Sequence, residues 1–134
     1  LWGPGDDEEM NALDGTTSDS ALPVQVYGLS PVVEILAGVT HGCARTSDGA
    51  LWCWGEHGAG QLGDGMSGRR AMVTTPVRVA TLGTSVVEVC AGMGATCARG
   101  EASDVWCWGA RSFGMMGDGD LGFALSPVGP AGCP

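Results

Sequence analysis

Cys43-Ala44-Arg45-Thr46-Ser47-Asp48-Gly49-Ala50-Leu51-Trp52-Cys53-Trp54-Gly55 has a second copy in the chain, Cys97-Ala98-Arg99-Gly100-Glu101-Ala102-Ser103-Asp104-Val105-Trp106-Cys107-Trp108-Gly109. Each copy reads as a β-hairpin with a cysteine on both arms and a Trp-Cys-Trp-Gly ending. In the first, Asp48-Gly49 is a strong turn dipeptide, because glycine supplies the positive φ that a tight turn needs. The arms are then His41 to Thr46 and Ala50 to Gly55.

Working outward, the same spacing recurs. Val32-Val33-Glu34-Ile35-Leu36-Ala37-Gly38 returns as Val86-Val87-Glu88-Val89-Cys90-Ala91-Gly92, and Gly60-Gln61-Leu62-Gly63-Asp64-Gly65 returns as Gly114-Met115-Met116-Gly117-Asp118-Gly119. Every pair is offset by 54 positions, as Cys97 is from Cys43. A constant offset without an insertion marks duplication of one structural unit. Partial copies flank the full ones: Trp2-Gly3 matches Trp54-Gly55, Pro23-Val24-Gln25-Val26 matches Pro76-Val77-Arg78-Val79, and Ser126-Pro127-Val128 matches Thr75-Pro76-Val77. The expected organisation is a partial first unit over 1–31 with an acidic loop, a full repeat over 32–85, and a slightly shortened repeat over 86–134. That is about two and a half repeats, and the chain reads as a piece of something longer.

Within a unit, Val32 to Ala37 is a β-branched run stopped by Gly38, expected to be a buried strand. The hairpin arms follow, and Thr75 to Val79 forms a short outer strand headed by Pro76, a residue suited to strand starts and edges. Four strands in a unit of ~50 residues fit a propeller blade. The Gly-rich span between Gly55 and Thr75 has no helical periodicity and reads as a long loop. The only helix candidate, Asp7 to Leu13, is short and uncapped. The expected class is all-β, with four-stranded antiparallel blades in an incomplete ring.

Composition narrows the function. Net charge is −9 with 6 basic residues, and no basic run gives nucleic acid an electrostatic footing. No apolar stretch approaches the ~20 residues of a membrane span. Asp6, Asp7, Glu8, Glu9, Asp14 and Asp19 read as a solvated acidic loop. Six cysteines in a short chain point to disulfides and to an extracellular, periplasmic or other oxidising compartment.

In order, Ala37-Gly38, His41, Cys43-Ala44, Asp48-Gly49, Trp52 to Gly55, Gly60 to Gly65 and Pro76-Val77 resemble the regulator of chromosome condensation repeat, here in a Cys-rich, secreted-type form. The resemblance implies blades of a seven-bladed β-propeller. The second repeat departs from it, with Ala95 in the place of His41 and Met115-Met116 in the place of Gln61-Leu62. The family includes a nucleotide-exchange factor for a small GTPase and a secreted propeller that inhibits a β-lactamase. A part-ring leaves open blade edges, so further blades, copies or a partner are expected to complete it.

The cysteine positions carry a geometric expectation. Cys43 and Cys53 are symmetric about Asp48, and Cys97 and Cys107 about Ala102. In a symmetric register each pair is directly opposed, with Cα atoms ~4.5 Å apart, so the disulfides Cys43–Cys53 and Cys97–Cys107 are expected. Buried free thiols are the alternative. Cys90 replaces Leu36 on a strand expected to be buried, which favours a free core thiol over a bridge to Cys133. Trp52, Trp54, Trp106 and Trp108 alternate with the cysteines and therefore point to the opposite face, where inter-blade packing is their expected role.

No constellation here carries chemistry. Gly60 to Gly65 lacks the Lys-Ser/Thr ending of a phosphate loop, and Asp118-Gly119-Asp120 lacks the remaining ligands of a calcium loop. Cys-x9-Cys is not metal spacing, and His41 and His57 are unpaired in sequence. His41 has no nucleophile placed beside it and is expected to pack or to bond backbone. The expected function is a non-catalytic scaffold, with no catalytic, cofactor or metal residues. It would bind a protein partner through the loops Glu56 to Val73, Ala110 to Leu125 and Pro4 to Ser20. An architectural subunit or surface-protein fragment, or a secreted enzyme inhibitor, are the alternatives.

Overall fold

The computed structural model describes residues 25–29, 31–65, 72–110 and 123–128. They form two antiparallel sheets of four strands each. The first has the order β1 (Val32–Ala37), β2 (His41–Thr46), β3 (Leu51–Glu56), β4 (Met72–Arg78). The second has β5 (Val86–Ala91), β6 (Ala95–Gly100), β7 (Val105–Ala110) and β8 (Phe123–Val128) in the same order. A single 3-10 turn, Ala80–Leu82, joins them and buries Leu82. Among the described residues no helix is long and apolar enough to cross a membrane.

The hairpins form where the turn chemistry puts them. Asp48 accepts from the Thr46 hydroxyl at 2.6 Å and from the Ala50 amide at 3.2 Å, and Gly49 takes φ +82°. Those bonds, the Thr46 one first, hold the Asp48 carboxyl below the usual carboxylate range. In the second hairpin the matching position is Ser103, a non-glycine residue at φ 68°. Both sheets also share a register break between the cysteine and the glycine of Trp-Cys-Trp-Gly, at Cys53/Gly55 and Cys107/Gly109. Gly55 and Gly109 have φ 106° and 102° there, which is the glycine-at-bulge solution.

One expectation is corrected. β1 is half-buried rather than buried, with Val33 53% and Ile35 58% exposed. It is an edge strand: Leu36 packs against the core at the seam and Val32 against a second buried cluster of Val26, Ala44 and Trp54. Ahead of β1, Val26 is buried against Ala44 and Trp54. The acidic segment Pro4 to Ser20 and the helix candidate Asp7 to Leu13 lie outside the described residues.

Candidate functional site

The core sits at the seam between the two sheets, and register explains its composition. Leu36, Cys43, Cys53 and Val77 form one rung across β1 to β4. Cys90, Cys97, Cys107 and Val128 form the matching rung across β5 to β8. Neighbouring rungs face opposite ways, so Val89, Ala98 and Trp106 lie on the back of the second cysteine rung. The buried cluster joins Cys43 and Cys53 of the first sheet to Val89, Ala98 and Trp108 of the second, with Leu36, Val77 and Trp106 packed around it. The sheets therefore stack head to tail, cysteine face of one against tryptophan face of the next.

Both hairpin cysteine pairs are at disulfide distance, with Cα atoms 4.1 Å apart in each. Cys43 and Cys53 are fully buried in the seam. The second pair lies on the outward face of the second sheet, where Cys107 is buried and Cys97 half-buried. Cys90, on the same rung, is free and exposed, which corrects the expectation of a core thiol. Leu36 is covered at that position by the following sheet, and no described residue covers Cys90. Cys133 lies outside the described residues.

The tryptophans divide by sheet. Trp108 is fully buried in the seam and Trp106 packs against the same cluster. Trp54 packs with Val26 and Ala44 on the other side of the first sheet. A Cβ at Gly42 would stand 2.8 Å from the Trp54 indole nitrogen, so this glycine lets the ring lie flat on β2. Trp52 is half-buried on β3.

A buried polar chain ties the sheets together. The Trp108 indole N–H donates to the Gln61 carbonyl at 2.9 Å, and the Thr96 hydroxyl donates to the same oxygen at 3.0 Å. His41 Nε2 lies 2.7 Å from the Thr96 hydroxyl oxygen. A carbonyl only accepts, so the single Thr96 proton is committed to Gln61. His41 must then donate from Nε2, which fixes the tautomer and leaves Nδ1 bare. Nδ1 is buried and has no partner among the described residues. A second proton would have to enter there. Burial pushes the His41 pKa down to about 4, against a smaller upward pull from Glu56. His41 is thus neutral at physiological pH and bonds a side chain of the next sheet rather than backbone.

The loop after β3 presents Gln61 to this chain. Gly60 and Gly63 donate backbone bonds to His57 and Gly60 at 3.2 and 3.0 Å, giving consecutive turns. The Gln61 side chain folds back to accept from the Ala59 amide at 2.9 Å. Buried His57 lies 3.2 Å from the Asp64 carboxylate, at ion-pair distance without hydrogen-bond alignment. Gly63, at φ +69°, leaves room for Trp108, whose indole nitrogen would meet a Cβ at 2.6 Å. Thr96 was not signalled by any motif. Its one trace in the sequence is the exchange of Gly42 for Thr96 at the constant offset. Met115, Met116 and Asp118 to Asp120 lie outside the described residues. Among those residues no cluster of His, Cys, Asp and Glu is arranged to hold a metal ion.

Four-stranded antiparallel sheets stacked face to face, each with its strands side by side in chain order, define blades of a β-propeller. The regulator of chromosome condensation (RCC1) repeat model matches residues 48–99, and a second model of the same repeat matches residues 32–61. The chain belongs to this repeat family. The first match starts in the hairpin turn of one sheet and ends on β6 of the next, so it spans the seam. Human E3 ubiquitin-protein ligase HERC2 is 33% identical over 125 residues, covering 88% of this chain and 2% of that protein. The Arabidopsis thaliana ultraviolet-B receptor UVR8 is 31% identical over 126 residues, covering 94% of this chain and 28% of the receptor. The structure of Kap60 bound to yeast RCC1 (Prp20) matches with a TM-score of 0.73 at 22% identity, over 95% of this chain and 32% of that one. The chain thus spans about a third or less of each of these relatives.

Proposed function

We propose that this propeller segment is a non-catalytic scaffold that binds a protein partner through its inter-strand loops. One observation carries the reading: the seam commits to structure the residues that a reactive site would draw on. His41 is locked to Thr96 with its pKa lowered, and Gln61 and Trp108 are used in the same chain of bonds. Loops held by such a seam are free to vary in sequence and carry recognition. The relative solved with Kap60 supports a protein as the class of partner. We assign units 32–85 and 86–134 as the two blades, with 1–31 contributing part of a preceding one.

The reading includes disulfides at Cys43–Cys53 and Cys97–Cys107, and with them an oxidising compartment. Their cross-strand placement supports both assignments. Affinity capture from extracts of the source organism, followed by mass spectrometry, tests the scaffold. A protein should be retained by the intact chain and lost from at least one of a set of loop variants beginning with Gly58→Arg, an exposed position where a Cβ would make only an ordinary 3.7 Å contact with Glu56. An unchanged captured set across all loop variants would count against the proposal. A second reading, an architectural piece completed by neighbouring blades or copies, is favoured by the exposed Val33 and Ile35 on β1. A well-dispersed 13.5 kDa monomer in sedimentation would argue against it.

A further inference from the structure

The second cysteine rung differs from the first in one residue. Cys90 stands opposite Cys97 on β5–β6, and Cys97 stands opposite Cys107 on β6–β7. In the first sheet the position of Cys90 is Leu36. We propose that Cys90, Cys97 and Cys107 form a thiol–disulfide exchange site, in which Cys97 is the shared sulfur and Cys90 the attacking thiol. The proposal rests on the reading of Cys97–Cys107 as a disulfide.

Register supplies the geometry. Directly opposed residues project from the same face, so the three side chains lie in a row on the outward face of the sheet. Cys97 and Cys107 have Cα atoms 4.1 Å apart, the close spacing of a non-hydrogen-bonded pair. Pair types alternate across a central strand, so Cys90 and Cys97 are the hydrogen-bonded pair, with Cα atoms about 5.5 Å apart. That value sits near the middle of the range in which disulfides form. Exchange also requires the incoming sulfur to approach opposite the leaving one. Cys90 flanks Cys97 on the side away from Cys107, so the row provides that line of attack.

The step balances without any added oxidant. Cys90, as thiolate, attacks the Cys97 sulfur; the Cys90–Cys97 bond forms and the Cys97–Cys107 bond breaks. The electron pair leaves on the Cys107 sulfur, which takes a proton from water in place of the one Cys90 gave up. The free thiol moves from an exposed position on β5 to a buried position on β7. The staple moves with it, from β6–β7 to β5–β6.

Tryptic mapping distinguishes the two bonds. Cleavage at Arg78, Arg99 and Arg111 places Cys90 and Cys97 together in peptide 79–99 and Cys107 in peptide 100–111. The intact chain is held at about pH 8.5, then alkylated with N-ethylmaleimide in acid before cleavage without reductant. A fraction of at least about one tenth should carry an internal disulfide in 79–99, with Cys107 alkylated on 100–111. That species should be absent from Cys90→Ser. In Cys107→Ser, oxidised glutathione should close the Cys90–Cys97 bond directly. Peptides 79–99 and 100–111 staying fully cross-linked, with both Cys90 and Cys97 alkylatable in Cys107→Ser, would overturn the exchange and leave the disulfide intact. A bond from Cys90 to Cys133 would also overturn it. Alkylation of Cys97 and Cys107 in the intact chain without reductant would instead remove the disulfide on which the proposal stands.

Discussion

Acidification strikes the seam at one identifiable atom. His41 is buried and neutral, with its folded pKa lowered to about 4 by burial, against an ordinary value near 6.5 when the chain is unfolded. The unfolded chain therefore binds a proton that the folded chain refuses between those values. Stability is fully present above about pH 6.5 and falls as pH drops toward about 4, below which this contribution levels off. A gap of about 2.5 pK units at ~1.4 kcal/mol each amounts to roughly 3 kcal/mol. Small domains have only ~5–15 kcal/mol in total, so the effect is large enough to read. Urea unfolding followed by tryptophan fluorescence, repeated from neutral to acid pH on the intact chain and on His41→Gln, isolates it. Carboxylates contribute to both proteins and cancel in the comparison. The intact chain should lose roughly 3 kcal/mol more than the variant over this window. Parallel curves, differing in slope by less than about 1 kcal/mol over the window, would refute the burial of a neutral His41.

Three substitutions probe the surrounding structure by the same unfolding assay. Thr96→Val removes the hydroxyl that both accepts from His41 and donates to Gln61, and should destabilise by about 1–3 kcal/mol as a buried donor loses its partner. Gly63→Ala adds a Cβ at positive φ against the Trp108 indole, and should cost at least ~1–2 kcal/mol from the backbone alone while shifting tryptophan emission. Ser103→Gly relieves a left-handed residue in the second hairpin and should stabilise by up to about 1 kcal/mol, part of the gain being offset by unfolded-chain entropy.

The features legible in the sequence are the local ones. The offset between Cys43 and Cys97, the Asp48-Gly49 turn and the Trp-Cys-Trp-Gly endings contain the hairpins, because turn chemistry and period-2 alternation act between near neighbours. They also contain the opposition of Cys43 to Cys53, since a symmetric hairpin fixes its own register. What escaped the sequence depends on how one sheet lies on the next. Val32 to Ala37 has the composition of a buried strand, and nothing in it says that Val33 and Ile35 face outward on an edge. Cys90 occupies a leucine position, and only the direction of stacking reveals that its face points away from the seam. The bond from His41 to Thr96 links residues 55 positions apart on different sheets, beyond any local pattern. Thr96 itself is conspicuous only as the residue that replaces Gly42, whose missing side chain makes room for Trp54.

The two blades form a single cooperative body locked by the buried chain of hydrogen bonds from His41 to Trp108. Native-state amide hydrogen exchange measures it most directly. Amides of β2 and β3 and those of β6 and β7 should exchange through one opening of the same free energy, and Thr96→Val should lower that free energy equally in both sheets. Separate opening energies for the two sheets, with Thr96→Val felt only in the second, would contradict it.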